Sequence, residues 1–508
     1  MNPRTQWLTV AGLAMLVGGL SVLPAGCAAR PQISRLTVLV SGYTLAYIKN
    51  CGCSSGQKGG EVRKARLIKE ERKAALLSKP TDEGRPPEVL MVELGNFTDP
   101  TDPVRKAESE GVVSSMKLLG YNSVGLGFNE LRYQQQELFA LLNDPKLPVT
   151  AANLSFTTPA VGDDKSADLA KLVKPFVITK YASDYRIGVI HLIDTNIADE
   201  LPEGYGYKLS PCGPVAEQIL KKHRREADLW VVTIADPLYE GPDLTAIGAL
   251  PDVLLAIGVT DPNPLQGERS TAAKYPVYVD KPYDKAKDLV RVQVYFNRDG
   301  SPPAINPLRL AISDQILPDP DTQKILDNLQ WQMEEIQNRE DERNRNLPVR
   351  HPTYMGYEAC RECHEEMVDL LAKSKHAQAY VNLAAKGKGE EKSAQCSKCH
   401  VTGHYAMGGK LWSGGWNVAD NQEQMRGVQC EACHGPGEYH VKAMHKGGTK
   451  APGFSADGRD KFGMQPANDK TCQQCHDPSN SPKFNYKEYW GKIVHKMPPD
   501  QKERKGKD

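Results

Sequence analysis

Four short segments in the last third of the chain share the pattern C-x-x-C-H. They are Cys360-Arg361-Glu362-Cys363-His364, Cys396-Ser397-Lys398-Cys399-His400, Cys430-Glu431-Ala432-Cys433-His434 and Cys472-Gln473-Gln474-Cys475-His476. Two cysteines at this spacing on a helical turn can form thioethers with the two vinyl groups of one haem, and the next histidine can bind the iron as proximal ligand. Because the chain has only 12 Cys and 12 His in 508 residues, chance would give about 0.007 such motifs.

The four motifs therefore predict four c-type haems with iron. The predicted thioether residues are Cys360, Cys363, Cys396, Cys399, Cys430, Cys433, Cys472 and Cys475, and the predicted proximal ligands are His364, His400, His434 and His476. Paired cysteines also occur in tetrahedral zinc sites, and each pair could instead close a disulfide. Neither alternative requires a histidine directly after every second cysteine, so haem explains the pattern better.

The length of the chain, 508 residues, is too great for one compact core and corresponds to about three domains. The content of 40% hydrophobic and 25% charged residues is typical of globular protein. The formal charge is +1, so no overall field favours nucleic acid as a partner. Eight of the 12 cysteines and ten of the 12 histidines follow residue 350, which places the predicted chemistry in the C-terminal region.

Residues 1–27 have the features of a targeting segment. Arg4 precedes an apolar stretch, Trp7–Leu23, that ends in Pro24-Ala25-Gly26-Cys27. A small-residue cleavage site followed by cysteine resembles a bacterial lipobox, which implies a lipid on Cys27. The chain is then exported to the periplasmic side of a bacterial membrane, with the outer membrane as one destination, and it contacts the membrane through this anchor. An ordinary secretory signal and a retained transmembrane helix are the alternatives.

Residues 36–313 alternate short apolar runs with longer amphipathic stretches, which predicts an α/β layered domain. The runs that predict buried strands are Leu36–Val40, Val89–Leu94, Ile187–Ile193, Leu229–Ile234 and Val253–Ile257. Glu61–Leu77 and Val104–Leu119 predict helices. Leu289–Phe296 alternates apolar and polar residues and predicts a half-exposed strand at a sheet edge.

Three further segments complete a multidomain chain. Residues 316–350 form a predicted charged connector helix, with the helical pattern over Thr322–Arg345. Residues 351–497 have few strand signals and predict a mainly α-helical multihaem domain whose porphyrins form its core. Residues 498–508 read as a solvated, charged tail.

The C-terminal region resembles the tetrahaem cytochrome c-554 family over about residues 354–496. The likeness lies in Lys375-His376-Ala377, in Cys399–Gly403, in the segment Gly427–His440 and in the end from Ser481 to His495. It implies a helical haem package with mostly bis-histidine haems and with His376, His440 and His495 as distal ligands. In that family the haem of the second motif can lack a distal histidine, but here His404 follows the motif and is a fourth candidate. His351 and His445 are expected to be surface histidines.

The first domain resembles 5′-nucleotidases of the calcineurin-like metallophosphoesterases over roughly residues 36–300. The likeness lies in Leu36–Leu39, Tyr47–Cys53 with Gly59-Gly60, Val92–Asn96, Leu126–Glu130, Ala151–Leu154 and Val231–Ala235. The family's metal ligands fall here on Tyr43, Leu45, Asn96, Phe128, Asn129, Ala235, Val259 and Asp261. Leu, Phe, Ala and Val offer no donor atom, so we expect no dinuclear metal centre, no phosphoesterase activity and a scaffold or docking role.

The remaining cysteines and histidines carry weaker predictions. In an oxidising compartment Cys212 is expected to pair with Cys51 or Cys53, which leaves one thiol over. A redox-active C-x-C formed by Cys51 and Cys53 is the alternative. His191 is expected in the core or at a sheet edge, and His223 on a solvated basic helix face.

These observations favour a carrier that passes electrons between other redox proteins, a donor and an acceptor. The alternative is a haem enzyme that acts on a small nitrogen compound at one five-coordinate haem. A phosphoesterase is the least favoured function, because its ligands are missing.

Overall fold

The computed structural model describes residues 33–49, 58–77, 86–101, 103–235, 247, 250, 253–258, 285–297, 303–345, 351–385, 391, 394–404, 414–416, 422–445, 464–476, 481 and 484–494. Cys27, Cys51, Cys53, Val259, Asp261 and His495 lie outside these residues. The targeting segment and the disulfide of Cys212 with Cys51 or Cys53 therefore stay predictions.

Twelve strands are found in the described part of the chain, and ten of them form two larger sheets. They are Arg35–Ser41 (β1), Pro87–Glu93 (β2), Ser123–Gly125 (β3), Val149–Thr150 (β4), Leu154–Phe156 (β5), Val177–Lys180 (β6), Arg186–Ile193 (β7), Tyr207–Leu209 (β8), Leu229–Ala235 (β9), Val253–Ile257 (β10), Asp288–Tyr295 (β11) and Ala304–Ala311 (β12). The first sheet has the order β12-β11-β1-β2-β3-β4 and the second β10-β9-β7-β6, while β5 and β8 pair alone. β1 to β4 are parallel, and so are β7, β9 and β10.

The helices differ in length between the two halves of the chain. They are Glu61–Leu77 (α1), Pro103–Leu119 (α2), Gln135–Leu142 (α3), Ser166–Leu172 (α4), Cys212–His223 (α5), Pro320–Arg345 (α6), Glu358–Ala372 (α7), Ala379–Ala384 (α8), Ala394–Ser397 (α9), Cys430–His434 (α10), Glu438–His445 (α11), Asp469–Gln473 (α12) and Tyr486–Ile493 (α13), with 3₁₀ turns at Glu130–Arg132 and Thr195–Glu200. No described helix is both long and apolar enough to cross a bilayer.

Three apolar clusters stack the N-terminal elements in four layers. One cluster, which includes Val38 and Val189, fills the space between the two sheets. A second joins the outer face of the first sheet to α1, α2 and α6, and a third joins the outer face of the second sheet to α5. A helix–sheet–sheet–helix arrangement buries both faces of each sheet, which explains why the parallel strands are nearly continuous runs of Val, Ile and Leu.

The predicted strands and helices of this domain are confirmed, apart from the position of one strand. The five apolar runs lie in β1, β2, β7, β9 and β10, and the two predicted helices are α1 and α2. Leu289–Phe296 does alternate in burial, but its prediction as a sheet edge is wrong. β11 lies between β1 and β12, so the edge is β12, whose Pro307 and exposed face fit an edge position.

The helix α6 packs on the α/β domain through its first half. Leu326 and Leu329 are buried in the cluster of α1 and α2, and Asp319 at its start forms an ion pair with Lys69 (2.7 Å). The segment predicted as a connector therefore contributes apolar side chains to the first domain.

The C-terminal region is helical but has a small apolar core. Among its described residues, Val401, Trp416 and Met425 form one cluster, against which Tyr354 and Tyr380 pack. Its segments are held mainly by hydrogen bonds around the four motifs.

Candidate functional site

Each C-x-x-C-H motif forms a helical turn. The first lies within α7, where His364 leaves the helical conformation (φ −126°, ψ 38°) and the helix kinks. The third is α10, which ends at Gly435 with a positive φ of 84°. The fourth begins in α12, where the Asn468 side chain caps the helix by accepting from Thr471 N. In each motif the two cysteines are three residues apart on or beside a helical turn, which is the spacing that haem attachment requires.

The imidazoles of His364 and His440 face each other. Their ring centroids are 6.4 Å apart and the planes differ by 25°. With a metal–imidazole bond of about 2.0 Å and about 1.1 Å from nitrogen to ring centre, two imidazoles that held one iron from opposite sides would have centroids about 6.2 Å apart. The observed separation is close to this value, so His364 and His440 could together hold the iron of a haem attached at the first motif.

His376 and His476 form a second facing pair. Their centroids are 5.9 Å apart and their planes differ by 53°. Both rings are partly withdrawn from solvent, and burial, followed by the nearby His476, lowers the pKa of His376. A neutral imidazole is the form that binds iron. The separation suits a haem of the fourth motif with His376 as its distal partner.

In three of the four predicted proximal histidines, the ring nitrogen Nδ1 has a hydrogen-bond partner. His400 Nδ1 lies 2.8 Å from Ala379 O, and His434 Nδ1 lies 2.8 Å from Gln465 O. His476 Nδ1 lies 2.8 Å from the hydroxyl of Ser481. A carbonyl can only accept, so Nδ1 carries the proton in the first two rings and leaves Nε2 available for iron.

The other two predicted distal ligands are placed differently. His404 is buried, and its Nε2 lies 3.3 Å from Ser397 Oγ in the second motif itself. Burial lowers the pKa of His404 to about 4. This placement does not favour His404 as a ligand opposite His400. His495 lies beyond the described residues.

His351 and His445 contact carboxylates. His351 Nδ1 lies 2.6 Å from Glu438 Oε2, and His445 Nε2 lies 3.3 Å from Glu362 Oε2. Glu438 also accepts from Thr353 N at 2.7 Å, and the bonds to His351 and Lys442 lower its pKa to about 2. Both histidines are about half exposed, as expected for surface histidines.

Three buried polar side chains, which the sequence did not single out, hold the motif segments together. Thr402 Oγ1 donates to Gly427 O and accepts from Gln429 N, both at 2.9 Å. Gln429 accepts from Tyr357 N at 2.9 Å. Glu431 accepts from main-chain N–H groups on both sides of its motif. Their buried hydrogen bonds position the first three motifs relative to one another.

Sulfur atoms of different motifs are neighbours. A hydrogen bond with Cys430 is the first cause that raises the pKa of the Cys360 thiol. A hydrogen bond with Cys399 likewise raises the pKa of Cys475. Burial, followed by the charge of Cys472, raises the pKa of Cys433 to about 11. Haems attached at these sulfurs would therefore be neighbours, and as thioethers the sulfurs would no longer titrate.

In the first domain, the loops that follow β1, β2 and β3 meet at the carboxyl edge of the parallel strands. Tyr43 N donates to Gly95 O (2.9 Å) and Leu45 N donates to Asn96 O (3.0 Å). Tyr43, Leu45 and Asn96 have positive φ values of 50–55°, a strained conformation for residues other than glycine. Main-chain hydrogen bonds therefore join the loop after β1 to the loop after β2.

Several side chains at the positions that the resemblance aligns with metal ligands make contacts within the protein. Tyr43 is fully buried in the cluster between the sheets, and Ala235 is fully buried at the end of β9. Asn96 Oδ1 accepts from Asn129 N at 2.8 Å, and Asn129 Nδ2 donates to Thr98 O at 2.8 Å. No group of three or more His, Cys, Asp or Glu side chains suited to a metal ion is found in the described ranges.

Two buried titratable groups lie next to these loops. Glu130 accepts from the main-chain N–H groups of Asn96, Thr98 and Gly127 at 2.7–2.9 Å, and burial raises its pKa to about 7. His191 on β7 contacts Leu126 O and Thr233 Oγ1, each at 2.8 Å, and burial lowers its pKa to about 4. His191 therefore links the two sheets. It is a core histidine, which was one of the two placements expected from the sequence.

Solved structures similar to the chain include several nucleotidases. The 5′-nucleotidase precursor from Thermus thermophilus is 18% identical, covers 58% of this chain and 58% of its own, and gives a TM-score of 0.48. NAD nucleotidase from Haemophilus influenzae is 14% identical, covers 64% of both chains and gives 0.44. The calcineurin-like phosphoesterase YfkN from Bacillus subtilis is 15% identical, covers 60% of this chain and 99% of its own, and gives 0.45. The chain thus spans less than two thirds of the first two proteins.

A comparison with curated proteins found no match. A comparison with family models matched "Cytochrome c554 and c-prime" at residues 359–435. This match contains the first three motifs and His376. Residues 359–435 of the chain are therefore similar to cytochrome c554, and this segment follows an N-terminal α/β domain.

Proposed function

We propose that this protein is an exported multihaem c-type cytochrome that passes electrons between a donor and an acceptor redox protein. When bound, each haem supplies an iron that takes up and releases one electron. The facing pairs His364–His440 and His376–His476 carry the proposal. An imidazole on each side of an iron leaves no position for a substrate, so these two sites suit electron transfer.

The neighbouring sulfurs support an order for the transfer. Cys360 is hydrogen-bonded to Cys430 and Cys475 to Cys399, and Cys433 lies within electrostatic reach of Cys472. These relationships would connect the motifs in the order first, third, fourth, second. Electrons would enter and leave through the first and second motifs at the two ends.

We assign the N-terminal domain a scaffold or docking role. Tyr43 is packed in the core and Asn96 and Asn129 bond to each other and to main chain, so these positions present no set of donors to a dinuclear centre. Metal-dependent nucleotide hydrolysis by the full chain, at rates above a blank, would contradict this assignment.

The periplasmic location and the lipid on Cys27 rest on the sequence of residues 1–27. Mass spectrometry of the mature protein tests them directly. A diacylglyceryl Cys27 as first residue is the expected result, and a retained N-terminus would contradict it.

A second function, a haem enzyme for a small nitrogen compound, is favoured by one observation. The Nε2 of His404 lies 3.3 Å from Ser397 Oγ within the second motif itself, and this placement supports an iron at His400 that keeps an open position. Carbon monoxide binding to one haem in four would favour this function.

A pyridine-haemochrome count with a ferric EPR spectrum tests the main proposal. We expect four haems for each chain and low-spin signals from the two facing pairs. A colourless mature protein, with the eight cysteines unmodified or bound to another metal, would overturn it.

A further inference from the structure

The third motif contains a carboxylate that is removed from water. Glu431, directly after Cys430, is 2% exposed. Its oxygens accept from Met355 N (3.0 Å to each), Gly356 N (2.8 Å) and Gly437 N (2.7 Å). All three donors are main-chain N–H groups, from segments that precede the first motif and follow the third.

The three N–H groups favour the ionised form of Glu431 but bring no formal positive charge. Burial raises the pKa of Glu431, and the three N–H groups oppose that rise, because their dipoles favour the carboxylate over the neutral acid. Among the described residues no Lys or Arg forms an ion pair with Glu431, in contrast to Glu438 and its neighbour Lys442. Because the site is buried, the charge acts through a medium of low dielectric constant and is poorly screened by salt.

The charge lies next to the attachment points of two haems. Glu431 follows Cys430 directly in the chain, and it accepts from the N–H of Gly356, whose carbonyl oxygen lies 3.9 Å from Cys360 Sγ. These sulfurs are the predicted thioether positions of the first and third motifs. A fixed negative charge near a haem stabilises the ferric state, because oxidation removes one electron and adds one positive charge to the iron site.

We propose that Glu431 sets the redox potential of the haems at Cys360 and Cys430, and makes them the low-potential end of the series. The proposal rests on the proposed function, since it requires haem at these motifs. Glu431 acts here as a positioning and electrostatic residue and does not touch the iron.

The test is a spectroelectrochemical titration of the haem-loaded full chain with Glu431→Gln. The amide keeps the size of the side chain and removes the charge. We expect two of the four midpoint potentials to rise so that the ferric-to-ferrous ratio at fixed potential falls about tenfold, which is about 59 mV for one electron. The shift should persist in high salt. Glu423→Gln, at a side chain that is 88% exposed, is the matched control and should leave all four potentials unchanged.

A purely structural role predicts a different pattern. Glu431→Asp keeps the charge but shortens the reach, so it should lower stability while keeping the two potentials low. If Glu431→Asp and Glu431→Gln shift the potentials equally, or if Glu431→Gln shifts none, the proposal is wrong. Loss of haem from the wild-type protein would instead refute the proposed function.

A wild-type measurement covers the case in which the glutamine variant does not load haem. The planes of His364 and His440 differ by 25° and those of His376 and His476 by 53°, so the two ferric haems should give distinct low-spin EPR signals. During stepwise reduction the signal of the more nearly parallel pair should disappear after that of the other pair. The reverse order would overturn the proposal.

Discussion

His440 lies on the short helix α11, and its imidazole faces that of His364 on α7 at a centroid distance of 6.4 Å. Replacing His440 by alanine should open one side of the iron at the first motif. We expect one of the four haems to become high-spin and to bind carbon monoxide, as measured by EPR and by the absorption of the reduced protein.

His445 offers the matched control on the same helix. It is half exposed and paired with Glu362, so His445→Ala should leave the spectra unchanged. Unaltered low-spin spectra in His440→Ala would show that another group binds this iron.

The absence of a side chain at Gly427 allows the main chain to pack closely against the segment of His376 and Ala377. A Cβ at this position would lie 2.3 Å from Ala377 O, and its φ is +81°, while Val428 N donates to His376 O at 2.9 Å. Gly427→Ala should destabilise the domain by about 1–3 kcal/mol from backbone strain alone, and displace His376. Thermal unfolding of the haem-loaded protein and its low-spin fraction measure the two effects.

Gly491→Ala is the control for Gly427→Ala. It lies in the helix α13 with nothing within 4 Å of its would-be Cβ, so Gly491→Ala should stabilise the helix by about 0.5–1 kcal/mol. Equal unfolding temperatures for the two variants would contradict the assigned role of Gly427.

Arg105 ties together the strained loop of the first domain. It is 4% exposed, forms ion pairs with Asp99 (2.9 Å) and Glu108 (2.6 Å), and donates to the carbonyl of Leu45. Arg105→Met leaves both carboxylates without this partner and should destabilise the domain by about 3–5 kcal/mol. Denaturant unfolding followed by circular dichroism measures the change.

The exposed pair Arg66–Glu70 provides the control, since Arg66→Met should change stability by about 0–1 kcal/mol. The haem spectrum should not respond to either variant. A loss for Arg105→Met no larger than that for Arg66→Met would exclude a clamping role.

His191 should make stability depend on pH. Leu126 O can only accept, so Nε2 carries the proton, and the neutral ring accepts from Thr233. The folded pKa of about 4 lies below the ordinary value of 6.5, so between these values the unfolded chain binds more protons. Stability should therefore fall as the pH drops from 6.5 to 4, by up to about 3 kcal/mol.

Comparison of the wild type with His191→Gln isolates this effect. The advantage of the wild type over the variant should shrink between pH 7.5 and pH 4.5 in denaturant titrations. The pKa of Glu130 is raised to about 7, so its ionisation lowers the stability of the folded protein as the pH rises from 4.5 to 7. This effect is the same in both proteins and cancels in the comparison. A constant difference across the range would show that His191 is not neutral in the folded state.

The layered domain was predictable from sequence because its signals are local. Each buried parallel strand is a run such as Leu229–Ala235, and α1 is an uninterrupted amphipathic stretch. The position of β11 was not predictable, since alternation shows that one face is exposed but not whether another strand pairs beside it. β12, with Pro307 and Arg309 in the strand, lacks the composition that would have indicated it.

The C-x-x-C-H cysteines could be assigned to haem from the sequence because haem attachment fixes their spacing, whereas the histidine pairs could not be found in this way. His376 and His476 are far apart in sequence and meet only through the fold. Glu431 was missed for another reason. An acid on a helical turn suggests a solvated face, and only the returning segments at Gly356 and Gly437 enclose it.

The docking of α6 has a practical consequence for dividing the protein. A recombinant fragment that starts at residue 316 would carry Leu326 and Leu329 into solvent, away from the cluster that buries them, and would tend to aggregate. A cut after residue 345 leaves these side chains covered. Expression of a soluble, separately matured C-terminal fragment should therefore begin near His351.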